Sequence, residues 1–105
     1  MVKLSYYVPP SYLEAVKSAI FAAGGGQQGN YDLSCWQTLG VGQFRPKNGS
    51  QPFLGQKDKL EKVEEYKVEI ICEESKLQAV IAALREAHPY EEPAFDCCQL
   101  LDLDT

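Results

Sequence analysis

The sequence predicts an α+β domain of the ferredoxin-like type: a βαββαβ sandwich whose four-stranded antiparallel sheet carries two helices on one face. Three observations predict it. The chain repeats itself at a fixed offset, each copy reads strand, helix, strand, and a turn-rich connection joins the copies. With 105 residues the chain has room for a single domain, 1–105.

Sliding the chain by 64 residues lays Lys3 on Lys67, Ser11 on Ser75, Leu13 on Leu77, Ala15 on Ala79 and Val16 on Val80. It also lays Ala19 on Ala83, Ala23 on Ala87, Asp32 on Asp96 and Leu39 on Leu103. Nine gapless identities over residues 3–41 exceed the roughly two or three expected by chance. Residues 2–8 and 66–72 open the two copies and are rich in Val, Ile, Leu and Tyr, which suits strands. In the first strand Leu4, Tyr6 and Val8 point one way, and Ser5 and Tyr7 the other. A helix follows each strand. Ser11 with Glu14, and Ser75 with Gln78, have the spacing of capping boxes. Behind them, Leu13, Val16, Ile20 and Ala23 form one apolar stripe, and Leu77, Val80, Ile81, Leu84 and Ala87 another. Gly24-Gly25-Gly26 stops the first helix, because glycine takes the left-handed cap conformation cheaply. Pro89 stops the second, because the residue before a proline avoids the helical region. The closing strands are expected over about 32–45 and 95–103.

With both helices on one face, the other face of the sheet is open. Tyr7, Trp36 and Ile71 fall there, which favours an oligomer. Residues 46–60 are rich in Pro, Gly, Asn and Ser, too long for a tight hairpin, and anchored by Phe53 and Leu54. A loop of this length is either functional or a plain surface excursion. Glu61, Glu64, Glu65 and Glu69 read as a solvated acidic face.

Composition narrows the partners. The net charge of -5 repels phosphate backbones and anionic membranes, so neither nucleic acid nor membrane is expected. No apolar run approaches a membrane span, and residues 1–7 read as a strand rather than a signal peptide. The default location is cytoplasmic. The four cysteines, Cys35, Cys72 and the adjacent Cys97-Cys98, form no C-x-x-C pair and read as reduced, buried small hydrophobes.

The densest chemistry lies in His88-Pro89-Tyr90-Glu91-Glu92-Pro93-Ala94-Phe95-Asp96, which holds the single histidine. A histidine beside two carboxylates can take a divalent metal, with His88, Glu91 and Glu92 as ligands, or move protons near neutral pH. The structural alternative is a helix-terminal histidine suited to the helix dipole, followed by a proline-locked turn with solvated glutamates. At the offset of 64 this stretch falls on Gly24 to Asp32 of the first copy. There, glycines either admit a ligand to backbone N–H groups or simply make a tight helix exit. The candidate ligand-binding residues are therefore Gly26, Gly29, Tyr31, His88, Tyr90, Glu91 and Glu92. No Ser/His/Asp set or H-E-x-x-H is present, so no catalytic residue is assigned.

Gly24 to Tyr31, Cys35, Gly42-Gln43-Phe44-Arg45-Pro46, Gly49, Pro52, Gly55, Leu60-Glu61 and His88 to Asp96 together resemble the YqfO-type domain. That family, also called NGG1p-interacting-factor-like, occurs alone or inserted in type 2 GTP cyclohydrolase-like proteins. The resemblance implies a ferredoxin-like fold similar to CutA and PII proteins, and with it a homo-oligomer, a trimer before a dimer. The dinuclear metal centre of full-length relatives lies in a flanking core and does not carry over to a chain with one histidine. The expected function is a non-enzymatic oligomeric binding or regulatory module for a small ligand or protein partner. Its cofactor is unknown, with a divalent metal as one candidate. The alternatives are a CutA-like divalent-metal protein using His88 with the Cys97-Cys98 pair, and a hydrolase-like enzyme using His88 with Glu91 or Glu92.

Overall fold

In the computed structural model, which describes residues 1–102, the chain runs β1 (Val2–Val8), α1 (Leu13–Ala22), β2 (Trp36–Phe44), β3 (Glu61–Cys72), α2 (Leu77–Ala87) and β4 (Phe95–Gln99). The sheet order is β2-β3-β1-β4, and every neighbouring pair is antiparallel. This is the expected ferredoxin-like sandwich. Val2, Leu4, Tyr6 and Val8 of β1 stand opposite Cys72, Ile70, Val68 and Tyr66 of β3, so one face of the central pair is almost continuously apolar. Leu13, Val16 and Ile20 from α1, with Val80 and Leu84 from α2, close over that face. Val16, Ile20, Val80 and Leu84 are fully buried, each worth about 1.5–3 kcal/mol relative to exposure.

The two halves match down to their turns. Pro9 and Glu73 are both extended (φ -65, ψ 149 and φ -68, ψ 142), and each begins a short 3-10 turn, Pro10–Tyr12 or Glu74–Lys76. Tyr12 N–H donates to the Pro9 carbonyl at 3.0 Å, and Lys76 N–H to that of Glu73 at 2.9 Å. These turns overturn the expected capping boxes. Ser11 and Ser75 sit inside them, and neither helix has a side-chain cap. The 3-10 turns instead pair backbone with backbone, Leu13 N–H with the Pro10 carbonyl and Leu77 N–H with that of Glu74.

Helix α1 ends in a Schellman motif. Gly25 N–H donates to the Ile20 carbonyl and Gly24 N–H to that of Phe21, with Gly24 at φ +109. Helix α2 ends at His88, which turns extended (φ -76, ψ 136) ahead of Pro89.

The remaining differences from the sequence reading concern strands and cysteines. β2 begins at Trp36 and β4 ends at Gln99, so both are shorter than expected; residue 103 of the expected last strand, with the Leu39–Leu103 match, lies outside the described residues. β3 begins at Glu61, five residues early, because its first half pairs with β2 alone. The expected acidic face is thus one arm of a two-stranded ribbon, which stretches the molecule to 51 × 22 × 22 Å. Cys72 is buried and Cys35 half-buried, but Cys97 and Cys98 are exposed on the edge strand β4, contrary to the reading of all four as core residues. Lys3, Ser5, Tyr7, Trp36, Glu69 and Ile71 share the open face by register, as expected for Tyr7, Trp36 and Ile71.

Candidate functional site

The expected site residues divide between two ends of the sheet. Gly26, Gly29 and Tyr31 lie in the loop after α1, beside the C-terminal end of β3. Gly26 N–H donates to the Ile71 carbonyl at 2.9 Å, and its own carbonyl accepts from Ser34 N–H. Gly26 has φ +78, and a Cβ there would meet the Phe21 ring and the Ser34 carbonyl at 2.8 Å. Its glycine is required for packing. Gly29, at φ +57 with open space around it, forms the tip of a two-residue reversal between Gln28 and Tyr31. Tyr31 is exposed.

His88, Tyr90, Glu91 and Glu92 lie at the opposite end, beside the C-terminal end of β1. His88 is 6% exposed. Its Nε2 lies 2.6 Å from the Tyr7 carbonyl, and its Nδ1 accepts from Tyr90 N–H at 3.1 Å. A carbonyl on one side and an N–H on the other require the neutral ring with the proton on Nε2. Burial holds its pKa below the usual histidine range, against a smaller opposing effect of the Tyr7 hydrogen bond. His88 is therefore a main-chain clamp, not the charged helix terminator that the structural alternative supposed. Neither ring nitrogen is free for a metal or a substrate proton.

The two loops are equivalent, as the repeat implied. Tyr7 and Ile71 are separated by the repeat offset. Each offers its carbonyl to the loop of the other half, one to the His88 ring and one to the Gly26 backbone. Equivalence about a pseudo-twofold places them apart, so they do not converge on one site.

The connection over residues 46–60 converges with the second loop instead. Glu91 Oε1 accepts from Gln51 N–H at 2.9 Å. The Phe53 ring packs edge-on against Tyr12 (centroids 5.5 Å) and lies 6.3 Å from Tyr90, which is 6.1 Å from Phe44. Tyr90 in turn rests 4.8 Å from the His88 ring. Between connection, loop and strand ends opens a cleft of about 390 Å³, walled by Phe44, Phe53 and Tyr90, with Arg45, Lys47 and Glu92 also lining it.

Glu65 reaches this cleft past Gly42, where any Cβ would run into its carboxylate. Burial pushes the Glu65 carboxyl up, against a weaker downward pull from Tyr90. The Tyr90 phenol is pushed up to about 12, by burial first and the Glu65 charge second. Its Oη is shut off from solvent with no group in hydrogen-bond geometry, although Glu65 is near enough to affect its titration. A buried hydroxyl without a partner is uncommon in a finished core. Neither Arg45 nor Lys47 takes part in an ion pair among the described residues.

Sequence reading named Tyr90, Glu91, Glu92 and the connection. It missed Phe44, Arg45 and Glu65 as wall residues. The one signal for them is the cation on each side of Pro46, at the end of a strand otherwise without charge. Among the described residues, no group of three or more His, Cys, Asp or Glu side chains is placed to hold a metal ion.

Comparison with known proteins gives the chain its relatives. No family model matches it. The GTP cyclohydrolase 1 type 2 homolog of Halalkalibacterium halodurans is 42% identical over 96 residues, covering 91% of this chain and 26% of the relative. A Bacillus cereus protein related to NIF3 superposes with a TM-score of 0.83 at 37% identity, over 96% of this chain and 26% of that one. The chain is homologous to one domain-sized segment of these proteins. It spans about a quarter of their length, and the YqfO-type resemblance read from the sequence is borne out. CutA1 of Pyrococcus horikoshii (TM-score 0.65, 16% identity, 99% of this chain and 87% of that one) and GlnK of B. subtilis (0.61, 16%, 94% and 83%) share the fold alone. No helix among the described residues is long and apolar enough to cross a membrane.

Proposed function

We propose that this chain is a binding module that assembles with copies of itself, and that it carries no hydrolase chemistry of its own. The observation behind this reading is the outer edge of the sheet. β2 runs nine residues without a charge or a proline, and Trp36, Leu39 and Val41 are 68%, 51% and 74% exposed. Edge strands of soluble proteins are normally blunted by charge, proline or cover, because unpaired N–H and C=O groups template pairing with another chain. An uncovered edge flanked by apolar side chains fits a second copy. β4 supplies the opposite edge, so β2-to-β4 pairing is head-to-tail, the kind of interface that makes a ring when the rotation between copies closes. Three copies is the expected count and two the alternative.

In CutA1 and GlnK the same fold occupies most of the chain, so this fold can stand as a domain with its own core. The cyclohydrolase name belongs to relatives of which this chain matches about a quarter. The engagement of both His88 nitrogens argues against His88 as acid, base or ligand.

Sedimentation equilibrium tests the reading. The unaltered chain is expected at a multiple of 11.7 kDa, and Val41→Lys at the single-chain mass with an unchanged circular dichroism spectrum. A monomer at every concentration would overturn it.

A further inference from the structure

We propose that the cleft between the 46–60 connection and the 88–94 loop binds a small planar aromatic molecule carrying a negatively charged group. The inference rests on the chain being a binding module, and not on how many copies assemble.

The cleft's volume of about 390 Å³ lies within the range of small-molecule sites, roughly 300–1,000 Å³. Its walls are aromatic. Phe44, Phe53 and Tyr90 stand at centroid distances of 6.1 and 6.3 Å, tilted by 52° and 46°, so their rings turn different faces and edges into the space. A flat ring gains from offset or edge contact with such walls.

The charge argument concerns Arg45 and Lys47. The chain as a whole carries a net charge of -5, yet these two cations line one cleft and neither has an ion-pair partner among the described residues. Three carboxylates share the lining: Glu91 and Glu92 are exposed, with Glu91 accepting from Gln51 N–H, and Glu65 is half-buried against Tyr90. None of them forms an ion pair with Arg45 or Lys47 among the described residues. An anionic group on the ligand therefore finds two charged donors that no carboxylate already holds.

The site is also built in advance. His88 holds the Tyr90 backbone, Glu91 holds Gln51, and Tyr12 backs Phe53. Little ordering remains to be done on binding.

Two fluorescent probes separate the terms: 1-anilinonaphthalene-8-sulfonate, and N-phenyl-1-naphthylamine, which has the same rings without the sulfonate. Titrated into the full chain, the sulfonate probe is expected to bind about tenfold more tightly, the worth of one charge-assisted contact. The double variant Arg45→Ala/Lys47→Ala is expected to remove that advantage and leave the uncharged probe unchanged. Amide resonances of Phe44, Phe53 and Tyr90 are expected to shift on binding, and Val41→Lys is expected to leave both affinities as they were. Equal affinities for the two probes, or resonance shifts confined to β2, would overturn the proposal. A single-chain mass by sedimentation would overturn assembly and leave this site standing.

Discussion

The loop after α1 and the loop after α2 solve one problem in two ways. Each must satisfy the carbonyl near the end of a strand from the other half, Ile71 or Tyr7. The first loop uses the backbone N–H of Gly26, which demands a left-handed residue pressed against Phe21. The second uses a side chain, the His88 imidazole, which holds Tyr90 on its other nitrogen. The backbone solution closes the loop tightly on itself. The side-chain solution leaves the main chain free to run outward through Tyr90 to Glu92 and form a cleft. The difference teaches that a residue with apparent chemistry can be occupied by main-chain bookkeeping while the usable surface forms beside it.

Three perturbations probe this contrast. His88→Ala should be the most damaging, because it orphans the Tyr7 carbonyl and the Tyr90 N–H and leaves a cavity. About 3 kcal/mol is expected by urea titration, with loss of the sulfonate probe site. Gly26→Ala should cost about 2 kcal/mol through positive φ and steric contact, whereas Gly29→Ala, with open space around it, should cost about 1 kcal/mol. Equal losses at Gly26 and Gly29 would remove the packing argument. The smallest effect is pH-dependent. His88 binds its proton less readily when folded than at the ordinary value of 6.5. The unfolded chain therefore takes up more protons as pH falls below that value, and this contribution to stability is lost between it and the lower folded pKa. Denaturation midpoints should fall across that window in the unaltered chain, and that component should vanish in His88→Gln.

Much of the fold was legible because the repeat is local and periodic. Leu4, Tyr6 and Val8, and the stripes from Leu13 and Val80, announce their faces by spacing alone. Less legible was anything decided across the chain. Ser11 and Ser75 match a capping box, yet each sits inside the 3-10 turn that follows Pro9 or Glu73, and neither helix has a side-chain cap. The start of β3 was hidden because Glu61–Glu65 pairs only with β2 and has no buried side to impose alternation. His88 reads as chemistry because its partner, the Tyr7 carbonyl, is 81 residues away. Half the cleft was visible as Tyr90 to Glu92 and the connection. Phe44, Arg45 and Glu65 were not, since only the folded-back connection brings them together.

The exchange of carbonyl partners between halves bears on how such a chain can arise. A single β-α-β unit of this sequence would present a strand carbonyl with nothing of its own to close it, and a half-built apolar layer. It would have to borrow both from a second molecule. Joined in one chain, the two units lend them to each other at no cost in concentration, and each closure is then free to diverge, glycine in one place and histidine in the other.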